Sequence, residues 1–101
     1  MAAADVKEHF LADLTIGVIE SGGTSKFDQQ KARTLAEKVL DKLYEIGPFA
    51  YPSLLDEDGL RFVYQWDEHP PLLTVMLWND ILWQDMARIR VPMEIDADIN
   101  Q

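Results

Sequence analysis

The chain has 101 residues, no cysteine and a net charge of −9, with 48% hydrophobic and 27% charged residues. This length and composition predict a single folded domain and exclude a disulfide framework and thiolate-based metal or redox chemistry. The acidic balance argues against direct binding of nucleic acid or of an anionic membrane, because both require a basic surface.

The acidic excess lies mostly in the second half of the chain. Residues 51–101 contain ten acids and three arginines, a balance of −7. No apolar run reaches the ~18–20 residues of a membrane-spanning helix, and residues 1–5 lack the features of a signal peptide. We therefore expect a cytoplasmic protein. Long-range electrostatic attraction favours a basic protein as its partner; in the alternative, the acidic excess only keeps the protein soluble.

A first helix is predicted over about residues 3–20. Its core-facing residues recur at four-residue spacing, and they are Val6, Phe10, Leu14 and Val18. The second half contains Gly17 among β-branched residues, a composition that also suits frayed or extended structure. Residues 21–23 are expected to end the helix because they combine serine with two glycines.

A second helix is predicted over about Lys26–Ile46. Its apolar stripe has a period of about 3.6 residues and consists of Leu35, Val39, Leu43 and Ile46, joined by Ala32, Ala36 and Leu40. Ser25 is the expected N-cap, and Asp28 three residues later resembles a capping box. Gly47 followed by Pro48 is a strong stop signal.

After Pro48 the hydrophobic period changes to two. Residues 56–59 have the composition of a turn. A strand is then predicted from the alternation of Leu60, Phe62, Tyr64 and Trp66 with more polar neighbours. Residues 67–71 form a stiff polar connection, and residues 72–78 form a second strand, which is apolar on both faces and therefore expected at the centre of the sheet.

Residues 79–91 fit two structures. A strand accounts for more of the alternation, with Ile81, Trp83, Ala87, Ile89 and Val91 on one face and only Asp85 out of place. A helix capped by Asn79 would place Leu82, Met86 and Ile89 together. We favour the strand, joined to residues 72–78 by a tight turn at positions 79–80. The tail at 93–99 also alternates and is expected as an edge strand or an acidic flexible end.

These elements predict an α+β fold. Two antiparallel helices at the N-terminus would pack on one face of an antiparallel sheet of three strands, or of four if the tail pairs with it.

The residues that carry chemistry are sparse. His9 and Asp13 lie one helical turn apart but supply fewer ligands than a zinc site needs, and His69 lies in a stiff loop. The acidic segment 56–59 lacks the rest of a calcium loop, and the glycine-containing segment 21–24 lacks the lysine of a phosphate-binding loop. We therefore expect no catalytic residue, no metal and no cofactor.

The aromatic and methionine residues of the second half suggest a binding surface. Two helices can cover only one face of the sheet, so the other set of bulky side chains would face solvent or a partner. The predicted partner-binding residues, with acids forming a rim, are Trp66, Asp67, Glu68, Met76, Trp78, Asp80, Trp83, Asp85 and Met86. In the alternative, all of the aromatic side chains belong to the core.

The leading hypothesis is a non-enzymatic acidic protein-binding module that docks on a basic partner protein. Inhibitors, immunity factors, adaptors and nucleic-acid mimics are examples of this class. The alternative is a structural subunit of a homo-oligomer or of a larger assembly, such as a virion or secretion component. A small enzyme is the third hypothesis, and it would need a pocket that joins a histidine to several carboxylates.

Overall fold

The computed structural model describes residues 3–22, 28–46 and 53–99, which form three helices and four strands. In chain order the elements are α1 (Ala3–Gly22), α2 (Gln29–Ile46), β1 (Ser53–Glu57), β2 (Leu60–Gln65), β3 (Leu72–Trp78), β4 (Trp83–Arg90) and α3 (Met93–Ile99). The strands form one antiparallel sheet in the order β1-β2-β3-β4. The predicted α+β class, with two N-terminal helices on an antiparallel sheet, is confirmed.

Helix α1 is continuous through Gly17, although the composition of its second half also suited extended structure. The predicted face of α1 is buried, and its members Phe10, Leu14 and Val18 are almost completely inaccessible to solvent. Packing against the sheet therefore decides the conformation of this segment, because tertiary contacts outweigh the weak helix propensity of glycine and β-branched residues.

Helix α2 begins at Gln29 and is capped by Asp28. The Asp28 carboxylate accepts a hydrogen bond from the backbone N–H of Lys31 at 2.7 Å, and its carbonyl accepts one from Ala32 at 3.0 Å. A short acceptor side chain in this position satisfies an N–H that has no partner within the helix. The described helix ends at Ile46 as predicted, while residues 23–27 and 47–52, including Ser25, Gly47 and Pro48, lie outside the described residues.

Strand β1 replaces part of the predicted acidic turn. Asp56 and Glu57 belong to this strand, and only Asp58 and Gly59 form the turn to β2, with φ angles of 52° and 76°. An Asp-Gly pair with positive φ at both positions is typical of a two-residue hairpin, because its twist matches that of the flanking strands. The fourth strand of the sheet is therefore β1, at the edge beside β2.

The tail is helix α3, so both expectations for it, an edge strand and a flexible end, are wrong. Pro92 lies just before the helix, and its carbonyl accepts hydrogen bonds from the N–H groups of Ile95 and Asp96 at 3.1 and 3.0 Å. Ile95 and Ile99, four residues apart, are both buried. A short apolar alternation that also satisfies a four-residue spacing is compatible with either structure, and here packing selects the helix.

The core lies between the helices and one face of the sheet. The helices bury one set of strand residues, namely Leu60, Phe62, Tyr64, Leu73 and Val75, with Leu55, Leu77, Ala87 and Ile89 partly buried beside them. The Tyr64 hydroxyl donates a hydrogen bond to the Asp96 carboxylate at 3.0 Å and so links β2 to α3. The opposite face, which we call the outer face, is not covered by the described helices.

Candidate protein-binding surface

A β-bulge in β4 determines which of its residues reach the outer face. Val75 of β3 pairs with Ala87, but the next residue, Met76, pairs with Asp85, so Met86 has no partner in the register. Such an extra residue shifts the alternation of side chains by one position. Asp85 therefore shares the outer face with Met76, whereas Ala87 lies on the helical face.

The same shift places Trp83 outside. Trp83 pairs with Trp78, which lies on the outer face of β3, and the two indole rings contact each other with centroids 5.4 Å apart and planes tilted by 55°. Tilted aromatic pairs at this distance are favourable. The sequence pattern predicted Trp83 on the same face as Ala87 and Ile89, and this detail is wrong because alternation is interrupted at the bulge.

The turn between β3 and β4 is longer than the predicted turn at positions 79–80. The Asn79 side-chain oxygen accepts hydrogen bonds from the N–H groups of Ile81 and Leu82, both at 3.0 Å, and the Asn79 N–H donates to the Leu82 carbonyl at 3.2 Å. Asp80 adopts a φ of 75°, a conformation that aspartate tolerates better than most residues. The turn is thus held together by its own hydrogen bonds.

This turn presents apolar side chains to solvent. Ile81 is 81% exposed and Leu82 is 52% exposed, and the adjacent Trp78 is 42% exposed. We call residues 78–83 the hairpin tip. Met86, at the bulge, is also exposed. Clusters of large exposed apolar side chains are uncommon on soluble domains and are typical of interaction sites.

Arg61 connects the tip to the other hairpin of the sheet. Its guanidinium carbon lies 4.1 Å from the centroid of the Trp83 ring. The Arg61 Nε and Nη2 groups donate to the two carboxylate oxygens of Asp56 at 2.8 and 3.1 Å. These hydrogen bonds hold the pKa of Asp56 below its usual value and raise that of Arg61. Arg61 therefore makes a forked ion pair on one side and a cation–π contact on the other.

Fewer acids of the predicted rim carry an uncompensated negative charge than the sequence predicted. The three arginines of the second half all pair with acids: Arg61 with Asp56, Arg88 with Asp85 at 2.8 Å, and Arg90 with Glu68 at 3.5 Å. Asp85 and Glu68, two of the expected rim acids, are therefore locally neutralised. Asp80 is exposed at the turn and makes no ion pair with any described residue.

The predicted binding residues fall into two groups at opposite ends of the sheet. Trp66, Asp67 and Glu68 follow the end of β2 where Gln65 pairs with Leu72. The hairpin tip follows the other end of β3, about 20 Å away if each residue of a strand rises by about 3.3 Å. The structure therefore does not unite all of the predicted residues in one surface.

The predicted binding residues at the hairpin-tip end of the sheet differ in access to solvent. Trp78, Asp80, Asp85 and Met86 are exposed, whereas Met76 and Trp83 are half-buried. Met76 pairs in the register with Arg61 on one side and Asp85 on the other, in the middle of the outer face. Trp66, at the opposite end of the sheet, is 36% exposed.

No family model, curated protein or solved structure matches the chain. Among residues 3–22, 28–46 and 53–99, no group of three or more histidines and carboxylates is placed to hold a metal ion. His9 and His69 are both exposed. None of the described helices has the length and apolar character needed to cross a membrane.

The sequence-based prediction missed three residues of this surface. The pattern predicts Ile81 in the strand and gives Leu82 a place only in the alternative helix, although the capacity of Asn79 to accept hydrogen bonds two residues ahead is a known signal for a longer turn. Arg61 carries no such signal, because its contact with Trp83 depends on the alignment of three strands.

Proposed function

We propose that this chain is a non-enzymatic protein-binding module that docks on a basic partner protein through the hairpin tip. The observation that carries the proposal is the exposure of Ile81 and Leu82 on a turn that is fixed by hydrogen bonds. Tryptophan is enriched among the residues that dominate binding energy, and the pair formed by Trp78 and Trp83 borders this turn.

The shape of the tip indicates the kind of surface that it fits. Ile81 and Leu82 project from the end of a two-stranded hairpin, so the complementary site is an apolar pocket or groove. The three hydrogen bonds within the turn reduce the conformational freedom that would be lost on binding, which favours affinity.

Charge supports a basic partner over a second copy of this chain. A net charge of −9 repels an identical molecule and attracts a basic one over distances comparable with the Debye length. Asp80 adds a negative charge within the tip itself. The partner site is therefore best described as an apolar pocket bordered by lysine or arginine. An inhibitor, immunity factor, adaptor or nucleic-acid mimic would use such a surface.

The alternative function, a structural subunit of a homo-oligomer or larger assembly, is favoured by one observation. Strand β4 is at the edge of the sheet, with no described strand beyond it, and such an edge can pair with another chain. However, the bulge at Met86 and the exposed charges of Arg88 and Arg90 are features that discourage edge-to-edge pairing. The hairpin tip is therefore the better candidate.

Affinity capture from a lysate of the source cells tests the proposal. The bait proteins are the wild type, a tip variant with Ile81→Ser and Leu82→Ser, and a control, Met93→Ser, which removes a side chain that is 74% exposed in α3. We expect a basic protein that the wild type and the control capture and that the tip variant loses. The purified partner should bind the tip variant at least about 10-fold more weakly than it binds the wild type.

Two outcomes would refute the proposal. One is a captured protein whose affinity is the same for the tip variant and the wild type. The other is an affinity that does not change between about 50 and 500 mM salt, since steering of a basic partner must weaken with screening. Light scattering after size-exclusion chromatography separates the alternative, because a structural subunit should self-associate at micromolar concentration.

A further inference from the structure

Four side chains form a continuous row across the outer face of the sheet. The row runs from Asp56 in β1 to Arg61 in β2, then to Trp83 in β4 and finally to Trp78 in β3. Each link is a direct contact: two hydrogen bonds of 2.8 and 3.1 Å, a guanidinium 4.1 Å from a ring centroid, and two ring centroids 5.4 Å apart. The row therefore joins the β1–β2 hairpin to the β3–β4 hairpin.

The register shows that Arg61 does not reach Trp83 as a neighbour. The residue beside Arg61 in the adjacent strand is Met76, and Trp83 lies one strand further away. Strands are about 4.8 Å apart, so the arginine and indole side chains must together bridge β3. Its forked ion pair with Asp56 fixes the plane of the guanidinium, because both hydrogen bonds must be satisfied together.

The segment that holds Trp83 pairs with the sheet over a short ladder. Beyond the bulge at Met86, only three residues of β4 pair with β3, and they are Trp83, Gln84 and Asp85. A bulge disrupts the ladder of hydrogen bonds locally, so this short segment depends more on its side chains than the rest of the strand does. The Trp83 ring is contacted by Trp78 and by the guanidinium of Arg61.

We propose that Arg61, oriented by Asp56, is a positioning residue that holds Trp83 against Trp78 and so fixes the hairpin tip in its docking geometry before a partner binds. The docking role rests on the proposed function, whereas the effect of Arg61 on the indole pair is measurable without any partner. A fixed indole pair loses less conformational entropy on binding, and this favours affinity.

Circular dichroism of the indole pair tests the proposal. Two indoles in contact couple their electronic transitions and give a positive and a negative band side by side. The Trp78→Phe variant has no indole pair, so its spectrum defines zero amplitude for these bands. A Trp66→Phe background removes the third tryptophan. We compare Arg61→Met with Arg88→Met, a matched control that also removes an outer-face arginine paired with an aspartate but lying over no described ring.

We expect Arg61→Met to lose more than about half of the band amplitude, since one of the contacts with the Trp83 ring is removed, and Arg88→Met to retain it. Arg61→Lys should recover part of the amplitude, because lysine keeps the positive charge but lacks the planar fork. A purely structural role for Arg61 would lower the unfolding midpoint of the variant without changing the band of the folded protein.

The proposal is overturned if folded Arg61→Met keeps the full amplitude of the wild type. If Arg61→Met does not fold, Asp56→Asn decides the question: its neutral side chain has the same size, and an unchanged band in that variant also overturns the proposal. The proposed function would fail if the wild-type chain had no partner whose binding depends on salt. That result would not affect the measured geometry of the indole pair.

Discussion

Gly17 of α1 lies directly against the side chain of Ile89 in β4. A Cβ atom added to Gly17 would be 2.8 Å from the Ile89 Cδ1 atom and 3.7 Å from the Cβ atom of Ala87. The absence of a side chain at position 17 therefore allows the helix to approach the sheet closely. Packing explains why a residue that weakens helices lies within the longest helix of the described chain.

This contact predicts a stability effect that depends on the residue at position 89. Alanine stabilises a helix relative to glycine by about 1 kcal/mol, but at position 17 its methyl group would collide with Ile89 Cδ1. The Ile89→Val substitution removes that atom. In this background we expect Gly17→Ala to raise the free energy of unfolding by about 0.5–1 kcal/mol, and in the wild type to raise it less or lower it. Urea denaturation of the four proteins measures the coupling, and equal effects in both backgrounds would contradict the prediction.

The hydrogen bond between Tyr64 and Asp96 predicts a loss of stability at alkaline pH. Burial of the Tyr64 hydroxyl, and then its hydrogen bond to the Asp96 carboxylate, raise the pKa of this tyrosine above its ordinary value of about 10. A group whose pKa is raised in the folded state stabilises the fold fully below the unfolded pKa. This stabilisation is lost as the pH rises from about 10 towards the folded pKa.

We therefore expect the unfolding free energy of the wild type to fall more steeply above about pH 10 than that of Tyr64→Phe. At neutral pH, Tyr64→Phe should cost about 1 kcal/mol, because a partly buried hydrogen bond is lost. Tyr44→Phe is the comparison: burial and the charge of Asp98 also raise the pKa of Tyr44, but its side chain is exposed, so we expect a smaller change in slope. Parallel pH profiles of the wild type and Tyr64→Phe would disprove the role of Tyr64.

Ser21 predicts a stabilising substitution. Its side chain is buried in the last turn of α1, and its hydroxyl oxygen has no hydrogen-bond partner among the described residues. A buried hydroxyl without a partner costs free energy, so Ser21→Ala should raise the unfolding free energy by about 1 kcal/mol. The control is Thr15→Val, because the Thr15 hydroxyl donates to the Leu11 carbonyl at 2.6 Å and its removal should give no such gain. A thermal midpoint for Ser21→Ala at or below that of the wild type would refute this prediction.

The hydrogen bonds that the Asn79 side chain accepts predict that the hairpin tip is rigid. Its side chain accepts hydrogen bonds from the N–H groups of Ile81 and Leu82, and Asn79→Ala would remove both. We expect a loss of about 1 kcal/mol in stability and faster amide hydrogen exchange at positions 81 and 82. Asn79→Asp keeps an acceptor oxygen and should retain slow exchange. If Asn79→Ala exchanges at the rate of the wild type, the turn is held by other contacts.

The sequence predicted the elements that have a clear periodicity. Leu60, Phe62 and Tyr64 alternate strictly and form β2, and residues 72–78, apolar on both faces, form an internal strand. The sequence did not predict β1, because this strand has only five residues and ends in acids that resemble a turn. In the structure, Asp56 forms an ion pair with Arg61, and the Glu57 carboxylate accepts a hydrogen bond from the Lys38 ammonium group of α2 at 3.3 Å.

The surface was predictable only in part. The pattern identified Trp78 as a candidate for exposure, because two helices cannot cover both faces of the sheet. It predicted Trp83 as a binding residue but placed it on the same strand face as Ala87 and Ile89, since a bulge arises from the pairing of two strands and leaves no mark in the alternation of one strand except the misplaced Asp85. The separation of Trp66 from the hairpin tip likewise depends on the order of the strands.

Met86 also has a consequence for how this domain could change over generations. Loss of its codon would remove the bulge without changing the pairing, because Asp85 would still lie opposite Met76 and Trp83 opposite Trp78. One short deletion would thus leave both side chains on the outer face, whereas in a strand that kept Met86 but formed no bulge, Trp83 would turn to the helical face. Display of the indole therefore survives a one-codon deletion in the gene, but not a repair of the bulge at constant length.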